Sequence, residues 1–369
     1  MIDIFVPFSP DSLNRIKADF YKELVNSKEG KKTSISFIRH PLPANPLVKD
    51  NEIFQVINVG GSFFEKALVK KSGKAIKIIK YEKGSLPVFE NREILLSFLK
   101  SILDPEISKI SLNFAYPLKP ILRNNILDGR LIHGSKEHNF SGLIGKVIGS
   151  ELEKFIYNEE KRIIKVAVAN DTICLILSGT GIEDRNKIIG GIVGTGTNFG
   201  FFLDKKTIVN LESGDFNNFE QSEIGKEIDK SCLNPGKHLF EKEIAGAYLF
   251  KHYNANCKKF HLQVAPISST AEISEKAGKA SGTERYMAKR LIEHSASLVA
   301  SEIAAIYLFK KQKKLTFLME GSLFWKGYGY RQIVVKYLSI LGIKKNCVQF
   351  KKLRNSNIIG GAQLALVSY

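Results

Sequence analysis

Gly191-Ile192-Val193-Gly194-Thr195-Gly196-Thr197-Asn198 is the stretch on which the fold turns. Residues 187–203 read as two apolar strands joined through glycines that are followed by hydroxyl and amide residues. Glycines let a backbone approach a ligand closely, and N–H groups in such a turn can cradle phosphate oxygens. Hydroxyls add donors. The same pattern stands earlier, in Val56-Ile57-Asn58-Val59-Gly60-Gly61-Ser62. One such loop is an ordinary tight hairpin. Two of them predict a duplicated lobe with nucleotide phosphates between the copies, unlike a single Walker loop.

Outward from these loops, strands and helices alternate. In Ile163–Ala169 nearly every position is β-branched or alanine, typical of a strand buried on both faces. Strands are also predicted at Ile53–Val59, at Ile110–Tyr116 before Pro117, and at Leu315–Met319. Asn91–Leu103 and residues 284–309 read as helices, and Ile358–Val367 as a small-residue helix. Near the N-terminus, Leu13, Ile16, Phe20 and Leu24 share one helical face, with Ser12 as the expected cap. His40–Pro46 is extended linker. The class is α/β.

The 369 residues are 44% hydrophobic and 25% charged, enough for two cores. The net charge of +18 comes from scattered lysines and arginines in short clusters, with no stacking-aromatic motif. That pattern predicts a solvated surface, no nucleic-acid partner and no membrane partner. No run of 18 apolar residues is present, and Met1-Ile2-Asp3-Ile4-Phe5 lacks the signature of a secretory signal. Cys174, Cys232, Cys257 and Cys347 are far apart, without C-x-x-C or zinc spacing. Free thiols and a cytoplasmic location are expected.

The 191–198 stretch resembles the phosphate-2 segment of the hexokinase family, and further segments follow in that family's order. Downstream are Glu227-Ile228-Asp229 and Leu233-Asn234-Pro235-Gly236-Lys237-His238-Leu239-Phe240-Glu241-Lys242. Upstream is Val166-Ala167-Val168-Ala169-Asn170-Asp171-Thr172. Weaker echoes are Phe114-Ala115-Tyr116-Pro117, Leu131–Lys136 and Glu320-Gly321-Ser322-Leu323. The resemblance covers roughly residues 33 to 369 and identifies a short, divergent member. It implies the two-lobed, actin-like (ribonuclease H-like) sugar kinase fold, with mixed sheets flanked by helices and a cleft between lobes. The expected division is 51–169 as small lobe, with 358–369 packing on it. Residues 1–50 form an N-terminal helix and linker, and 170–357 the large lobe.

The implied activity is ATP-dependent phosphorylation of a hexose, glucose first, at its 6-hydroxyl. Asp171 is then the base that takes the hydroxyl proton; position alone says helix N-cap. Ser135, Lys136, Asn170, Asn198, Glu212 and Glu241 are the implied sugar contacts, carboxylates suiting the task because each accepts from two hydroxyls. Gly60, Gly61, Ser62, Gly194, Thr195, Gly196 and Thr197 are the implied phosphate contacts, and Gly321 and Ser322 the loop under the adenosine. Gly360-Gly361 either lie near the nucleotide or serve close helix packing. Mg2+ arrives with ATP, held mostly by phosphates and water. The expected partners are hexose and ATP, and the chain is monomer or homodimer. The first loop departs from the family's Asp-Leu-Gly-Gly-Thr-Asn-Phe-Arg: Asn58 replaces the carboxylate and Glu65 the cation. On sequence alone Glu65 repels ATP, which favours a sugar-binding sensor with little catalysis as the alternative. His238 and Ala115 also depart, from glutamine and serine.

Overall fold

A computed structural model describes residues 8–73, 75–134 and 138–369. In chain order the elements are α1 (Pro10–Lys28), β1 (Ile38–Pro41), β2 (Ile53–Val59), β3 (Phe63–Ser72), β4 (Ala75–Ser85), α2 (Arg92–Ile102), β5 (Lys109–Phe114), β6 (Leu118–Arg123), β7 (Ile126–Leu131), α3 (Ile148–Glu160), β8 (Lys165–Ala169) and α4 (Asp171–Ser178). They continue with β9 (Ile188–Val193), β10 (Thr197–Phe202), β11 (Thr207–Asn210), α5 (Glu223–Ser231), α6 (Leu239–Ile244), α7 (Gly246–Lys259), α8 (Thr270–Lys279), α9 (Gly282–Lys310), β12 (Leu315–Glu320), α10 (Ser322–Lys326), α11 (Tyr330–Ile340), β13 (Val348–Lys351) and α12 (Ser356–Leu366). The chain forms two units. Unit 1 holds residues 1–37, 191–199 and 211–352; unit 2 holds 38–190, 200–210 and 353–369.

Unit 2 is built on a sheet of order β4-β3-β2-β5-β8. The β2–β3 and β3–β4 pairs are antiparallel, while β2–β5 and β5–β8 are parallel. Alternation along β2 sorts its side chains by face. Ile57 and Val59 pack with Leu95, Leu99, Leu152 and Ile156 from α2 and α3. Phe54 and Val56 pack with Ile358, Ala362 and Ala365 from α12. Each fully buried side chain of this size contributes about 1.5–3 kcal/mol. Helix α12 comes close because of its glycines: a Cβ on Gly360 would lie 2.0 Å from the Cys174 carbonyl oxygen of α4, and one on Gly361 2.5 Å from Val56 Cγ1. Close helix packing therefore accounts for Gly360-Gly361 without a nucleotide.

Unit 1 is organised around α9, buried along most of its length. Helices α1, α8 and α11 pack against it. Phe20 of α1, Phe216 and Phe240 form an aromatic cluster beside it. Among the described residues α9 is the helix long and apolar enough to cross a membrane, yet 83% of its apolar window is buried inside the protein. Strands β12 and β13 pair in parallel.

Two local expectations shift. Ser9, not Ser12, caps α1: its side chain accepts from the Ser12 N–H, and Pro10 fills the first helical turn, where no N–H is needed. The expected lobe boundaries shift as well. Residues 170–190 lie in unit 2, because α4 packs on α12 and β5, and residues 1–37 lie in unit 1, because α1 packs on α9.

Candidate functional site

In unit 1 the second glycine hairpin, the Glu212 turn and Glu241 meet. The Gly194 N–H donates to the Gly196 carbonyl and closes the turn. Its outer carbonyls serve the start of α7: Gly246 N–H donates to Gly194 O at 2.7 Å and Ala247 N–H to Thr195 O at 3.1 Å. Helix N-termini leave such donors unpaired, so α7 and the hairpin fix one another. Glu241, in the first turn of α6, accepts from the Thr197 N–H at 2.9 Å. Burial raises its carboxyl pKa, opposed by that bond and by His238. Glu212 adopts a left-handed backbone (φ 48°) that starts the turn Ser213–Asp215. The Ser213 N–H donates to Asn198 Oδ1 at 3.4 Å. Three of the implied sugar contacts, Asn198, Glu212 and Glu241, thus belong to one bonded assembly with the phosphate hairpin.

The segment before α6 is tied from beneath. Lys242, fully buried, forms an ion pair of 2.5 Å with Asp229 of α5 and donates to Asn234 O at 2.9 Å. Asp229 also accepts from the Gly236 N–H. Asn234–Lys237 is therefore an anchored loop that aims α6. His238 caps α6 in a left-handed conformation and pairs with Asp215 at 2.6 Å. The Asp215 hydrogen bond raises the His238 pKa, burial opposing; the charges of Glu241 and Glu212 act in the same direction as Asp215.

Beside the hairpin lies a cavity of about 510 Å³ lined by Gly194, Thr195, Ala247, Thr270, Ser322 and Lys326, among others. Gly321, next to Ser322 in the chain, has φ 103°, and a Cβ there would sit 2.1 Å from the Val193 carbonyl oxygen. Only glycine serves there.

Unit 2 carries the other group. Asn170, 6% exposed, is the N-cap of α4: its Oδ1 accepts from the Ile173 N–H at 3.1 Å. The cap is therefore Asn170, and Asp171 is the first helical residue, its Oδ1 bonded to the Thr172 N–H at 2.8 Å. The helix-cap account of Asp171 falls, because Asn170 Oδ1 supplies the cap. The loop Gly60-Gly61-Ser62 is pinned by its carbonyls, to the Tyr116 hydroxyl, to His138 Nε2 and to the Leu86 N–H. Ser135 and Lys136 lie outside the described residues.

Glu65 is corrected by its surroundings. It is 8% exposed and faces Asn58 across the β2–β3 pair. Its carboxylate accepts from Asn58 Nδ2 at 3.0 Å, the Tyr81 hydroxyl at 2.7 Å and Asn357 Nδ2 at 2.7 Å. Three donors hold the charge in place, so Glu65 is a bonded partner of Asn58 rather than a loose anion opposing ATP. Asn357, Tyr81 and Asn113 escaped the sequence reading. Asn113 is fully buried, its amide makes no hydrogen bond, and it pairs in register with Asn58 and Ala169. Its signal was the polar alternation Ser111, Asn113 within an apolar strand.

A family model described as Hexokinase matches residues 188–261 and 265–367. The chloroplastic hexokinase-2 of Nicotiana tabacum is 27% identical over 239 residues, 55% of this chain and 47% of the relative. Hexokinase-5 of Oryza sativa subsp. japonica is 27% identical over 237 residues, 55% and 46% of the two chains. The chain spans about half the length of the curated relatives it matches. A crystal structure described as hexokinase superposes with a TM-score of 0.78 at 17% identity, covering 98% of this chain and 96% of that one. The hexokinase of Schistosoma mansoni complexed with glucose gives 0.74 at 18% identity, with 97% and 95% coverage. These last two likenesses are of fold; the family match, over just under half of the chain, and the curated relatives support a hexokinase-family member.

Proposed function

We propose that the protein phosphorylates a hexose, glucose first, at its 6-hydroxyl with ATP as donor. The observation that carries this is the Glu241–Thr197 hydrogen bond. It couples a carboxylate suited to sugar hydroxyls to the backbone of a glycine hairpin suited to phosphates, beside a cavity of about 510 Å³. Asn198 and Glu212 extend the sugar-binding set of unit 1; Asn170, and Ser135 and Lys136 outside the described residues, are further sugar contacts that the resemblance implies. Thr195 and Ser322 line the cavity and suit the nucleotide.

Asp171 is the base. Its carboxylate takes the proton of the attacking hydroxyl as the oxygen–phosphorus bond forms and the bond to ADP breaks. Among the described residues no cluster of three or more His, Cys, Asp or Glu is placed to hold a metal. Mg2+ would enter as the nucleotide complex, held by phosphate oxygens and water. The ion supplies charge neutralisation on the phosphates when bound.

An ADP-release assay with ATP, Mg2+ and a panel of glucose, mannose and fructose tests this. Sugar-dependent ADP release is expected. Folded protein that binds a hexose but releases no ADP would sink the kinase reading.

A further inference from the structure

Beneath the Glu212 turn lies a carboxyl that the proposed reaction does not use. Glu302, on α9, is fully buried, and neither of its oxygens completes a hydrogen bond. Ser213, the residue after Glu212, is also fully buried, and its hydroxyl completes none either. The Ser213 hydroxyl is near enough to act on the Glu302 carboxyl. The Ser213 N–H meanwhile holds Asn198. A helix carboxyl and a turn hydroxyl thus face one another, both without other partners, directly under two proposed sugar contacts.

Among the described residues no hydrogen bond or ion pair satisfies the Glu302 carboxyl. Helix α6 commits Glu241 to Thr197, Lys242 to Asp229 and Glu243 to His294. Helix α7 commits His252 to the Lys242 carbonyl. Helix α8 commits Lys276 to Glu284, and α1 commits Glu23 to Ser34 and Ile35. From α11 the Tyr330 phenol faces this region, bonded to Ser295 and within reach of the Glu302 charge. On the turn itself Asp215 is paired with His238. An ionised carboxylate buried without a partner is costly, so the group keeps its proton or the packing opens.

We propose that Glu302 is a positioning residue for sugar binding: as an uncharged, proton-bearing carboxyl packed under Ser213 it holds the turn that presents Glu212 and Asn198, and its ionisation releases that turn. The inference rests on the reading that Asn198 and Glu212 hold the sugar. Burial pushes the Glu302 carboxyl up to about 8, with Ser213 pulling the other way. Sugar affinity is therefore full below this range and lost as pH rises through it. If only the protonated form binds, the apparent Kd at pH 9 is about tenfold that at pH 6.5.

Calorimetric titration with glucose between pH 6 and 9 tests this, on the wild type and on Glu302→Gln, Ser213→Ala, His238→Gln and Glu212→Gln. The wild type is expected to weaken about tenfold toward pH 9. Glu302→Gln, neutral and nearly isosteric, is expected to stay within about twofold across the range, since it has no proton to lose. Should that variant fail to fold by circular dichroism, Ser213→Ala decides. It removes the group that lowers the Glu302 pKa, so the weakening should move to higher pH. A wild-type rise retained in Glu302→Gln overturns the inference. So does a Ser213→Ala profile identical to the wild type, or a rise abolished by His238→Gln alone. Glu212→Gln separates the two levels. If it binds glucose normally at pH 6.5, the sugar reading fails and the Glu302 role with it. If it weakens binding while Glu302→Gln keeps the wild-type profile, only the Glu302 role fails.

Discussion

The hairpin at residues 58–65 and the hairpin at 191–198 share glycines and hydroxyls, but they spend their hydrogen bonds differently. The second hairpin gives its bonds outward, to the start of α7 and to Glu241. The first turns inward: its three loop carbonyls are pinned by Tyr116, His138 and Leu86 of the same unit, and Asn58 and Glu65 bond to each other. The lesson is that a change of residue type in a loop has to be read together with its cross-strand partner. Taken singly, Asn58 and Glu65 are losses of a carboxylate and a cation. Taken together they are an amide donor facing a carboxylate acceptor.

The largest test of whether unit 2 still serves catalysis is Asp171→Ala. A positioned base contributes about 10²–10⁴-fold to rate, so turnover is expected to fall by that factor while glucose affinity stays within about tenfold. Because Asn170 supplies the cap of α4, the substitution leaves the helix start intact. Near-normal ADP release would leave unit 2 without a base at Asp171.

Gly321→Ala against Gly60→Ala compares a glycine packed against the second hairpin, at Val193 and Gly194, with a glycine inside the first. At Gly321 an alanine is strained by φ 103° and by a Cβ 2.1 Å from the Val193 carbonyl. At Gly60 the added Cβ meets the Phe63 carbonyl oxygen at 3.1 Å, without a positive φ. Strain of this kind costs on the order of 1–3 kcal/mol, so Gly321→Ala should lower the unfolding temperature and raise the KM for ATP, with Gly60→Ala clearly milder. Equal effects would break the comparison.

Much of this was legible in the chain because it rests on local physics. Glycine at a turn, a β-branched run and an apolar helical stripe each declare themselves within a few residues, as β8, β12 and α9 show. The edge strand β4 did not, because Lys77, Lys80 and Lys83 interrupt its apolar positions and most of its surface is exposed. The Glu65 contacts were illegible for another reason. Asn357 lies at the far end of the sequence, and only the packing of α12 on the sheet brings it to β3. Glu302 was hidden likewise: in sequence it is one charge on a long helix, and only burial gives it meaning.

Asn58→Asp sharpens the reading of the first hairpin. It removes the amide donor and sets a second carboxylate at about the 3.0 Å now separating Asn58 from Glu65. The expected loss is about 1–3 kcal/mol of stability at pH 7. The new pair shares a raised pKa, so the loss should shrink as pH falls toward 4, where one carboxyl takes up a proton. Glu65→Arg added to Asn58→Asp should recover stability by restoring opposite charges. Chemical denaturation at pH 7 and pH 4.5 measures both. An Asn58→Asp protein as stable as the wild type at pH 7 would show that the Asn58–Glu65 bond contributes nothing.

The smallest expected effect belongs to His238. Asp215 raises its pKa through a hydrogen bond, so the pair's stabilisation is fully present below the ordinary histidine value of 6.5. It is lost as pH rises through the raised value. Both side chains are partly exposed, at 41% and 25%, and solvent screens them. Such pairs are worth about 0–1 kcal/mol, so His238→Gln should change glucose affinity at pH 6 by no more than a few-fold. The pair joins α6, which carries Glu241, to the turn that carries Glu212, so its loss should appear in sugar affinity before it appears in turnover. A measurable drop in turnover at saturating glucose, with affinity unchanged, would mean that His238 acts on the reacting groups. The hairpin at 191–198 would then lie closer to the chemistry than its backbone contacts alone require.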